Sequence, residues 1–549
     1  MTRHVVVIGA GPAGLAAAEH ALRAGAEVTV LDQADAPGGQ YHRTVPEAYE
    51  AGNPEKLQHG WAAFTQRRRR VLEHPRCRWW PNSTVWALER PEADQIGAGR
   101  AGVGGLGVEQ PGEGCAGVGG FGVDQPRRAG AGGSGADRSG AGHAGAGGFG
   151  ADQPSAGHAG VGRLGADHSE ADSPGADRVS ADRPPRVHVL RGPADGSARE
   201  RHVLTPDALI ITTGAHDRTL PFPGWQLPGV FTAGAAQALA KGERVAVGRR
   251  VLVAGSGPFL LPVAESLLNV GAEVVAVLEA NTARTVRKGW SRRPWRLVRH
   301  VGKAGELLRY AGTVARHRVS YRMGRAVIEA RGDDRVREVV TARVNPDWSV
   351  IKGTERTYEV DAVCVGHGFV PQLELAVAAG CDLDGGFVRV DHRQRTTVRG
   401  VFAAGEITGI GGAVAAAAEG AVAGRMAAGG EADRKLEEAR DHTGEFARRL
   451  AEAHPIGAAW SGWLRPDTIV CRCEETTVAE LRDAAGDPVQ AGPHALKLGT
   501  RAGLGPCQGR MCGPAVAELC GAAESHHRPI AQPIRLGELA VPKEFHEHP

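Results

Sequence analysis

The stretch Val5-Val6-Val7-Ile8-Gly9-Ala10-Gly11-Pro12-Ala13-Gly14 decides the fold. Four apolar residues form a buried strand, a glycine turn follows, and Leu15-Ala16-Ala17-Ala18-Glu19-His20-Ala21-Leu22 reads as a helix. Gly9 permits the tight turn, Gly11 lets a pyrophosphate approach the backbone, and Gly14 lets helix and strand pack closely. An anion at that helix N-terminus meets free N–H groups and the positive end of the dipole. A second strand, Glu27-Val28-Thr29-Val30-Leu31, ends at Asp32, 21 residues after Gly11, where a ribose hydroxyl is expected. Strand, triplet, helix, strand and acid stand in register, which an ordinary glycine turn does not require.

The same theme returns later. Arg250-Val251-Leu252-Val253-Ala254 is a strand, Gly255-Ser256-Gly257-Pro258 the turn, and Val263-Ala264-Glu265-Ser266-Leu267-Leu268 the helix. Val274-Val275-Ala276-Val277-Leu278 closes at Glu279, 22 residues after Gly257. Leu260 stands at the third glycine position, and its bulk should push the helix off the strand or shift the turn. Binding at Gly255, Gly257 and Glu279 therefore stays open. If a nicotinamide cofactor binds, Glu279 favours the form without a 2′-phosphate. Arg284, Arg287, Lys288, Arg292, Arg293, Arg296 and Arg299, with Trp290 and Trp295 among them, follow. They are either a seat for a phosphate or acidic partner, or a solvated face with Trp anchors in a domain seam.

The 549 residues imply roughly three or four domains. With 42% apolar and 23% charged residues the composition is that of a soluble protein, and a net charge of +3 gives no bulk attraction to nucleic acid. The first strand begins at residue 4 or 5, so no signal peptide is expected, and no apolar run reaches the roughly 18 residues of a membrane span. A cytoplasmic location is the expectation. Arg67-Arg68-Arg69-Arg70 ends a helical region after the loop Pro37-Gly38-Gly39-Gln40 and reads as a solvated face. Thr84-Val85-Trp86-Ala87-Leu88 reads as a strand.

Residues 95–185 are different material, rich in Gly, Ala and Asp. An imperfect repeat runs Ala101 to Pro111, Ala116 to Pro126, Ala144 to Pro154 and Ala159 to Ser169. One large apolar side chain per copy cannot offset the ordering entropy, so a disordered insertion is expected, with a glycine-rich β-solenoid as the alternative. Strands Val187–Leu190 and Ala208–Thr212 resume the globular pattern. The insertion should thus sit at a hairpin tip within one domain.

Thr468-Ile469-Val470-Cys471-Arg472-Cys473 and Gly503-Leu504-Gly505-Pro506-Cys507-Gln508-Gly509-Arg510-Met511-Cys512 carry four of the nine cysteines. Four thiolates from two loops, Cys-x-Cys and Cys-x4-Cys, can enclose one small centre. Loop glycines let backbone N–H groups reach sulfur. Zinc suits four cysteines too, although zinc sites more often use Cys-x2-Cys pairs and zinc carries no electrons. The stretch 466–525 resembles the bacterioferritin-associated-ferredoxin-like domain, which implies a 2Fe–2S cluster on Cys471, Cys473, Cys507 and Cys512. Cys77, Cys115, Cys364, Cys381 and Cys520 read as incidental or core cysteines.

Val360–Gly366 is another strand running into glycine, and Gly400-Val401-Phe402-Ala403-Ala404-Gly405-Glu406 precedes Gly411-Gly412-Ala413 and an alanine-rich helix to about Met426. These segments resemble the two-dinucleotide-domain flavoprotein superfamily. The resemblance implies an α/β fold in which a FAD domain is interrupted by an NAD-type Rossmann domain, here with a small C-terminal iron–sulfur domain. It implies FAD on Gly9, Gly11, Pro12, Ala13, Gly14, Asp32, Gln33, Gly39, Gln40, Val85, Thr213, Gly214, Gly405, Glu406 and Ala413. In that family an Asp stands where this chain has Glu406. Dithiol chemistry is not expected, because Cys77 stands alone near the flavin loop and the second unit has no Cys-x-x-Cys. The implied layout is 1–94, 186–243 and 371–430 for FAD, 244–370 for the NAD-type domain, 431–464 a linker, 465–525 the cluster domain and 526–549 a tail.

Thr213–Arg218, Pro221–Val230, Thr232–Gln237, Gly366–Pro371 and Gly405–Ala413 narrow the likeness. They resemble the α subunits of heteromeric dye-linked amino-acid dehydrogenases of the opine, proline and hydroxyproline type and of hydrogen cyanide synthase. The resemblance implies that the partner is a D-amino-acid-oxidase-like β subunit, with a small iron–sulfur γ subunit in some complexes. The complex's substrate would be an amino acid. The resemblance also allows NAD(H) or another adenine nucleotide in the second unit. A catalytic residue for amine oxidation is not identified: His216 and His367 should pack or hydrogen-bond. A self-sufficient NADH:acceptor reductase and a non-catalytic cofactor scaffold are the other expectations.

Overall fold

The computed structural model of the chain describes residues 2–43, 58, 60–90, 183–196, 199–291, 301–431, 433–486, 492–521, 526, 528, 530–540 and 546–548. The repeat segment, Cys115, Arg292, Arg293, Trp295, Arg296 and Arg299 lie outside the described residues.

The opening unit folds as β1 (His4–Ile8), α1 (Pro12–Arg23) and β2 (Glu27–Leu31), followed by α2 (Trp61–Leu72), β3 (Cys77–Trp80), β4 (Ser83–Glu89), β5 (Arg186–Arg191), β6 (Glu200–Leu204), β7 (Ala208–Ile211) and β8 (Ala215–Asp217). Val5, Val6 and Val7 are fully buried, as a strand covered on both faces requires. Strands β4 and β5 pair antiparallel with Glu89 opposite Arg186, so the repeat segment leaves and re-enters at the end of one hairpin. Arg67 and Arg70 do not form a purely solvated face. Together with Arg23 they pair with the buried Glu19 of α1 at 2.7–2.8 Å and tie α2 to α1.

A second parallel sheet follows. Its elements are β9 (Val230–Thr232), α3 (Ala233–Ala238), β10 (Arg250–Gly255), α4 (Leu260–Asn269), β11 (Glu273–Glu279), α5 (Ala283–Ser291), α6 (Val301–Arg316) and β12 (Ser320–Met323), then β13 (Arg325–Arg331), β14 (Glu338–Arg343), β15 (Arg356–Glu359) and β16 (Ala362–Gly366). The sheet order is β12-β11-β10-β16-β9, with β13-β14-β15 as a separate antiparallel meander. Strand β9 pairs with β16 and belongs here, ahead of the expected boundary at 244. Short edge strands take their sheet from tertiary pairing, which the local pattern does not encode.

The chain returns through β17 (Phe369–Pro371), α7 (Glu374–Ala379), the two-residue strands β18 (Leu383–Asp384) and β19 (Phe387–Val388), β20 (Val401–Ala403) and α8 (Gly412–Ala427). Strand β17 pairs antiparallel with β8, so outgoing and returning chain cross side by side. The first sheet then reads β20-β7-β1-β2-β3. Its spatial order matches that of the second sheet, except that the edge strand comes last in the chain here (β20) and first in the second sheet (β9), and the second domain is inserted in the first.

Residues 431–464 are more than a linker. They form α9 (Arg434–Ala453), capped by Asp433, whose carboxylate accepts the Leu436 N–H at 2.9 Å, and a 3₁₀ turn at Ala458–Trp463. The cysteine unit comprises β21 (Ile469–Cys471), β22 (Thr476–Thr477), α10 (Val478–Gly486), α11 (Pro493–Thr500) and α12 (Gly513–Cys520). The tail adds α13 (Leu536–Ala540) and β23 (His546–His548), the latter parallel to β6. Among the described residues no helix is long and apolar enough to cross a membrane.

Helix α8 lies directly on α1. A Cβ on Gly420 would collide with the Ala13 carbonyl, and one on Gly424 with that of Ala17. The expected result for Gly424→Val is destabilisation on the order of 3 kcal/mol, read from the urea midpoint, because backbone cannot give way as a side-chain tip can. An unchanged midpoint would show that the two helices are not held in contact.

Candidate functional site

Turn geometry builds the first site. Gly9 adopts φ +101°, and a Cβ there would strike the Thr212 carbonyl. A Cβ on Gly14 would strike the Gly9 carbonyl, so α1 is pressed onto the turn. Gly11 is different. A Cβ on it would meet only the Gly39 Cα, at 4.0 Å, which leaves an open cradle between two glycine loops. The Gly38 N–H donates to the Ala10 carbonyl at 2.9 Å and fixes that second loop. Helix α1 has Pro12 at its start and no side-chain cap, so its first turn offers N–H groups to an anion. The Asp32 carboxylate accepts the Ala10 N–H at 2.5 Å and the Ala34 N–H at 2.8 Å. Burial raises its pKa, and those two N–H groups oppose the rise.

The other expected residues surround that cradle. Gln33 and Gln40 are exposed, and Gln40 accepts from Arg43. Val85 is buried on β4. The Thr213 hydroxyl donates to the Gln372 carbonyl at 2.7 Å, and the Gln372 N–H donates to the Gly214 carbonyl at 2.9 Å. From the far end of the chain, a Cβ on Gly405 would stand 2.9 Å from the Ala13 Cβ. Glu406 accepts the Gly412 N–H at 2.8 Å, and Ala413 follows in the first turn of α8. Glu419, which the sequence did not single out, accepts the Gly405 N–H at 2.8 Å and the Thr408 hydroxyl at 2.6 Å. Two helix N-termini, an open glycine cradle and a carboxylate at the strand edge fit a bound dinucleotide.

The second unit is built alike and closed differently. Helix α4 begins at Leu260, two positions later in register than α1, and Leu260 is buried against Gly366. Glu279 has no exposed surface. Its carboxylate accepts the Gly257 N–H at 2.7 Å and the Asn281 N–H at 2.8 Å. His454, at the end of α9, lies 3.3 Å from the same carboxylate, and its carbonyl accepts the Ser256 hydroxyl at 3.2 Å. Gly289 of α5 packs on Ala453, and Trp290 meets Phe446. The end of α9 therefore lies across the Gly255–Gly257 turn. No local signal marked His454, which stands in a stretch that reads as a charged connector.

The four cysteines converge. Cys471 and Cys507 each interact with Cys512, and Cys473 with Cys507. Cys471 and Cys512 are buried, Cys507 half-buried and Cys473 exposed. Contact with Cys512, then backbone N–H groups of Met511 and Gly509, bring the Cys507 thiol down to about 4. Contact with Cys512, then N–H groups of Gly503, Glu474 and Cys473, bring Cys471 to about 6. This sulfur cage with N–H donors fits an anionic thiolate centre. Among the described residues no three His, Cys, Asp or Glu side chains stand as a single-ion site. The remaining described cysteines are unpaired thiols, and burial pushes Cys77 and Cys381 up to about 11.

This unit is seated at the crossing of the two large domains. His216 donates to the Arg510 carbonyl at 2.9 Å, and the Thr219 hydroxyl donates to that of Met511 at 2.7 Å. Arg510 pairs with Glu374 at 2.8 Å, and Arg218 with Glu518. Trp348 and Trp463 stack with ring centres 5.9 Å apart, and His367 lies 5.9 Å from Trp348. Burial, then the nearby Arg218 charge, hold His367 down to about 3, so it is neutral. Both histidines pack or hydrogen-bond.

Residues 177–420 match the family model described as pyridine nucleotide-disulphide oxidoreductase, and residues 7–74 match the NAD(P)-binding Rossmann-like domain. An opine oxidase subunit of Agrobacterium tumefaciens (strain Ach5) is 34% identical over 385 residues, 63% of this chain and 71% of that protein. The hydrogen cyanide synthase subunit HcnB of Pseudomonas aeruginosa is 32% identical over 336 residues, 57% of this chain and 70% of that one. Among solved structures, L-proline dehydrogenase from P. horikoshii aligns with 98% of this chain and 80% of its own at a TM-score of 0.53 and 16% identity, a likeness of fold. With its two Rossmann units and this degree of identity, the chain belongs to the FAD-dependent pyridine nucleotide-disulphide oxidoreductases, in the family of these opine oxidase and hydrogen cyanide synthase subunits.

Proposed function

We propose that this chain is the electron-transferring subunit of a multi-subunit amino-acid dehydrogenase of opine, proline or hydroxyproline type. FAD would lie on Gly9–Gly14, Asp32, Gly39, Thr213–Gly214 and Gly405–Ala413, and a 2Fe–2S cluster on Cys471, Cys473, Cys507 and Cys512. FAD supplies two-electron chemistry when bound, and an iron–sulfur centre carries single electrons. The observation that carries the proposal is the seating of the Cys507–Cys512 loop on His216 of β8 and on Thr219 just beyond it, a few residues after Thr213 and Gly214. That contact would hold two redox sites at a fixed separation.

Two further features favour electron entry from a partner over entry from NADH. The ribose carboxylate of the second unit is buried under its own chain at His454. In addition, neither His216 nor His367 is placed as a base for an amine: one is spent on Arg510 and the other is buried and neutral. A β subunit resembling a D-amino-acid oxidase would bring that base, and a small iron–sulfur γ subunit would extend the chain of carriers. The names of the relatives, as subunits of an opine oxidase and a hydrogen cyanide synthase, are in keeping with such a partner.

Glu406 has a role of its own. Burial pushes its carboxyl up to about 7, with the Gly412 N–H opposing and Glu419 adding to the rise. A protonated Glu406 can donate, and an ionised one can only accept. Because the folded-state pKa lies above that of an unfolded glutamate, its stabilising contribution is full below about pH 4.5 and is lost as pH rises through 7.

Anaerobic purification with visible and low-temperature EPR spectra tests the cofactor content. Iron is expected in the wild type and lost in Cys507→Ser, with flavin retained; a preparation still iron-free after reconstitution would remove the cluster from the proposal. Steady-state assays should give slow NADH oxidation by the isolated chain, and flavin reduction by an amino acid only with the partner added. Fast NADH turnover by the chain alone would favour an NADH:acceptor reductase. For Glu406→Gln, the thermal midpoint should fall less between pH 5 and pH 8 than in the wild type; parallel curves would show that Glu406 does not titrate there.

A further inference from the structure

A cavity of about 370 Å³ opens at the adenosine end of the first unit, lined by Gln33, Thr84, Arg199 and the tail segment 532–535. Gln33 follows the ribose carboxylate Asp32, and Thr84 precedes Val85, so the cavity lies where the adenine of a dinucleotide would go on from the ribose. One wall belongs to a segment about 500 residues further along the chain than Gln33.

That segment is tied down on both sides of the cavity. The Ala531 N–H donates to the Trp86 carbonyl at 2.8 Å, and its carbonyl accepts from Arg510 at 2.8 Å. Arg199 makes a bidentate pair with Glu538, both bonds at 2.7 Å, and both side chains are largely buried. Arg535 donates to the Gly196 carbonyl, and β23 adds a strand beside β6. Beyond Ala531, which is buried in the core, the tail gains little from apolar burial: Leu536 and Leu539 are exposed at 82% and 41%. Fixing each residue costs about 1–2 kcal/mol, so a polar, buried clasp holds this segment beside the cavity.

We propose that residues 531–538 form the closing wall of the adenosine pocket, a clamp that slows release of FAD. Gln33 and Gln532 bring amides to that pocket, and an amide pairs its acceptor and donor with the N6 amine and ring nitrogen of adenine. The Arg199–Glu538 pair holds the wall in place. This inference rests on the assignment of Asp32 to the ribose of FAD.

The test follows FAD release from the holoprotein by the rise of flavin fluorescence on dilution. Glu538→Ala, and separately removal of residues 530–549, should each speed release about tenfold, since a buried charge-assisted pair is worth that order. Gln532→Ala should speed it by a smaller factor. Asp32→Ala is the control on the underlying assignment. Fast release from Asp32→Ala with unchanged release from Glu538→Ala would overturn the clamp alone. Unchanged release from Asp32→Ala would overturn the site assignment and the clamp with it. Should the shortened chain fail to fold, the two point substitutions decide.

Discussion

Helix α8 can reach the carbonyl edge of α1 only because Gly420 and Gly424 present no Cβ to Ala13 and Ala17. Everything at the first site depends on that approach. Strand β20 enters the sheet beside β7, the chain turns at Gly405 against Ala13, and α8 starts at Gly412. Two stretches some 400 residues apart in the chain therefore present their helix N-termini to one cradle. Each N-terminus carries roughly half a positive charge, so the pair favours an anionic ligand that neither would hold as well alone. The second domain can be inserted between β8 and β17 because those strands pair with each other and leave the first sheet unaltered.

A shared spatial order of strands does not give the two carboxylates the same surroundings. Both sheets run in the same order, and both carry a carboxylate at the end of the second strand. In the first, Asp32 is only partly buried, and the next residue, Gln33, lines a cavity. In the second, Glu279 is sealed by His454, and Leu260 delays the start of the helix. A buried carboxylate is costly unless its oxygens are satisfied, and here the Gly257 and Asn281 N–H groups satisfy them from within the chain. The buried acid of the second unit is thus satisfied within the chain, and its contact with His454 helps to seat the end of α9.

The two strand–turn–helix units were legible because their signal is local: glycine spacing, apolar runs and an acid at a set distance lie within about thirty residues. The third-position Leu260 likewise foretold a shifted turn. Each cysteine pair was legible for the same reason, since it sits on one short loop, whereas the contact between the two loops is tertiary. What escaped depends on distant pairing. Strand β9 has only three residues and belongs to its sheet through β16. Helix α9 looks like a charged connector, yet it buries Arg449 and Ala453 against other elements. Glu19 gave no sign of being the buried anchor of three arginines, and Trp348, Trp460 and Trp463 gave none of forming the seam under the cysteine unit.

One guanidinium ties these distant pieces together. Arg510 sits inside the Cys507–Cys512 loop, pairs with Glu374 of α7 and donates to the Ala531 carbonyl, while its own carbonyl accepts from His216 on β8. Glu374 is largely buried, so breaking the pair would strand a carboxylate at a cost of about 3–5 kcal/mol. A lysine could not substitute, because the contacts to α7 and to the tail need separate nitrogens in one fixed plane. The cysteine loop, the first domain and the tail are therefore positioned by a single rigid group. Movement of the loop relative to β8 would pull on Ala531, the residue that precedes the 532–535 wall of the cavity at Gln33.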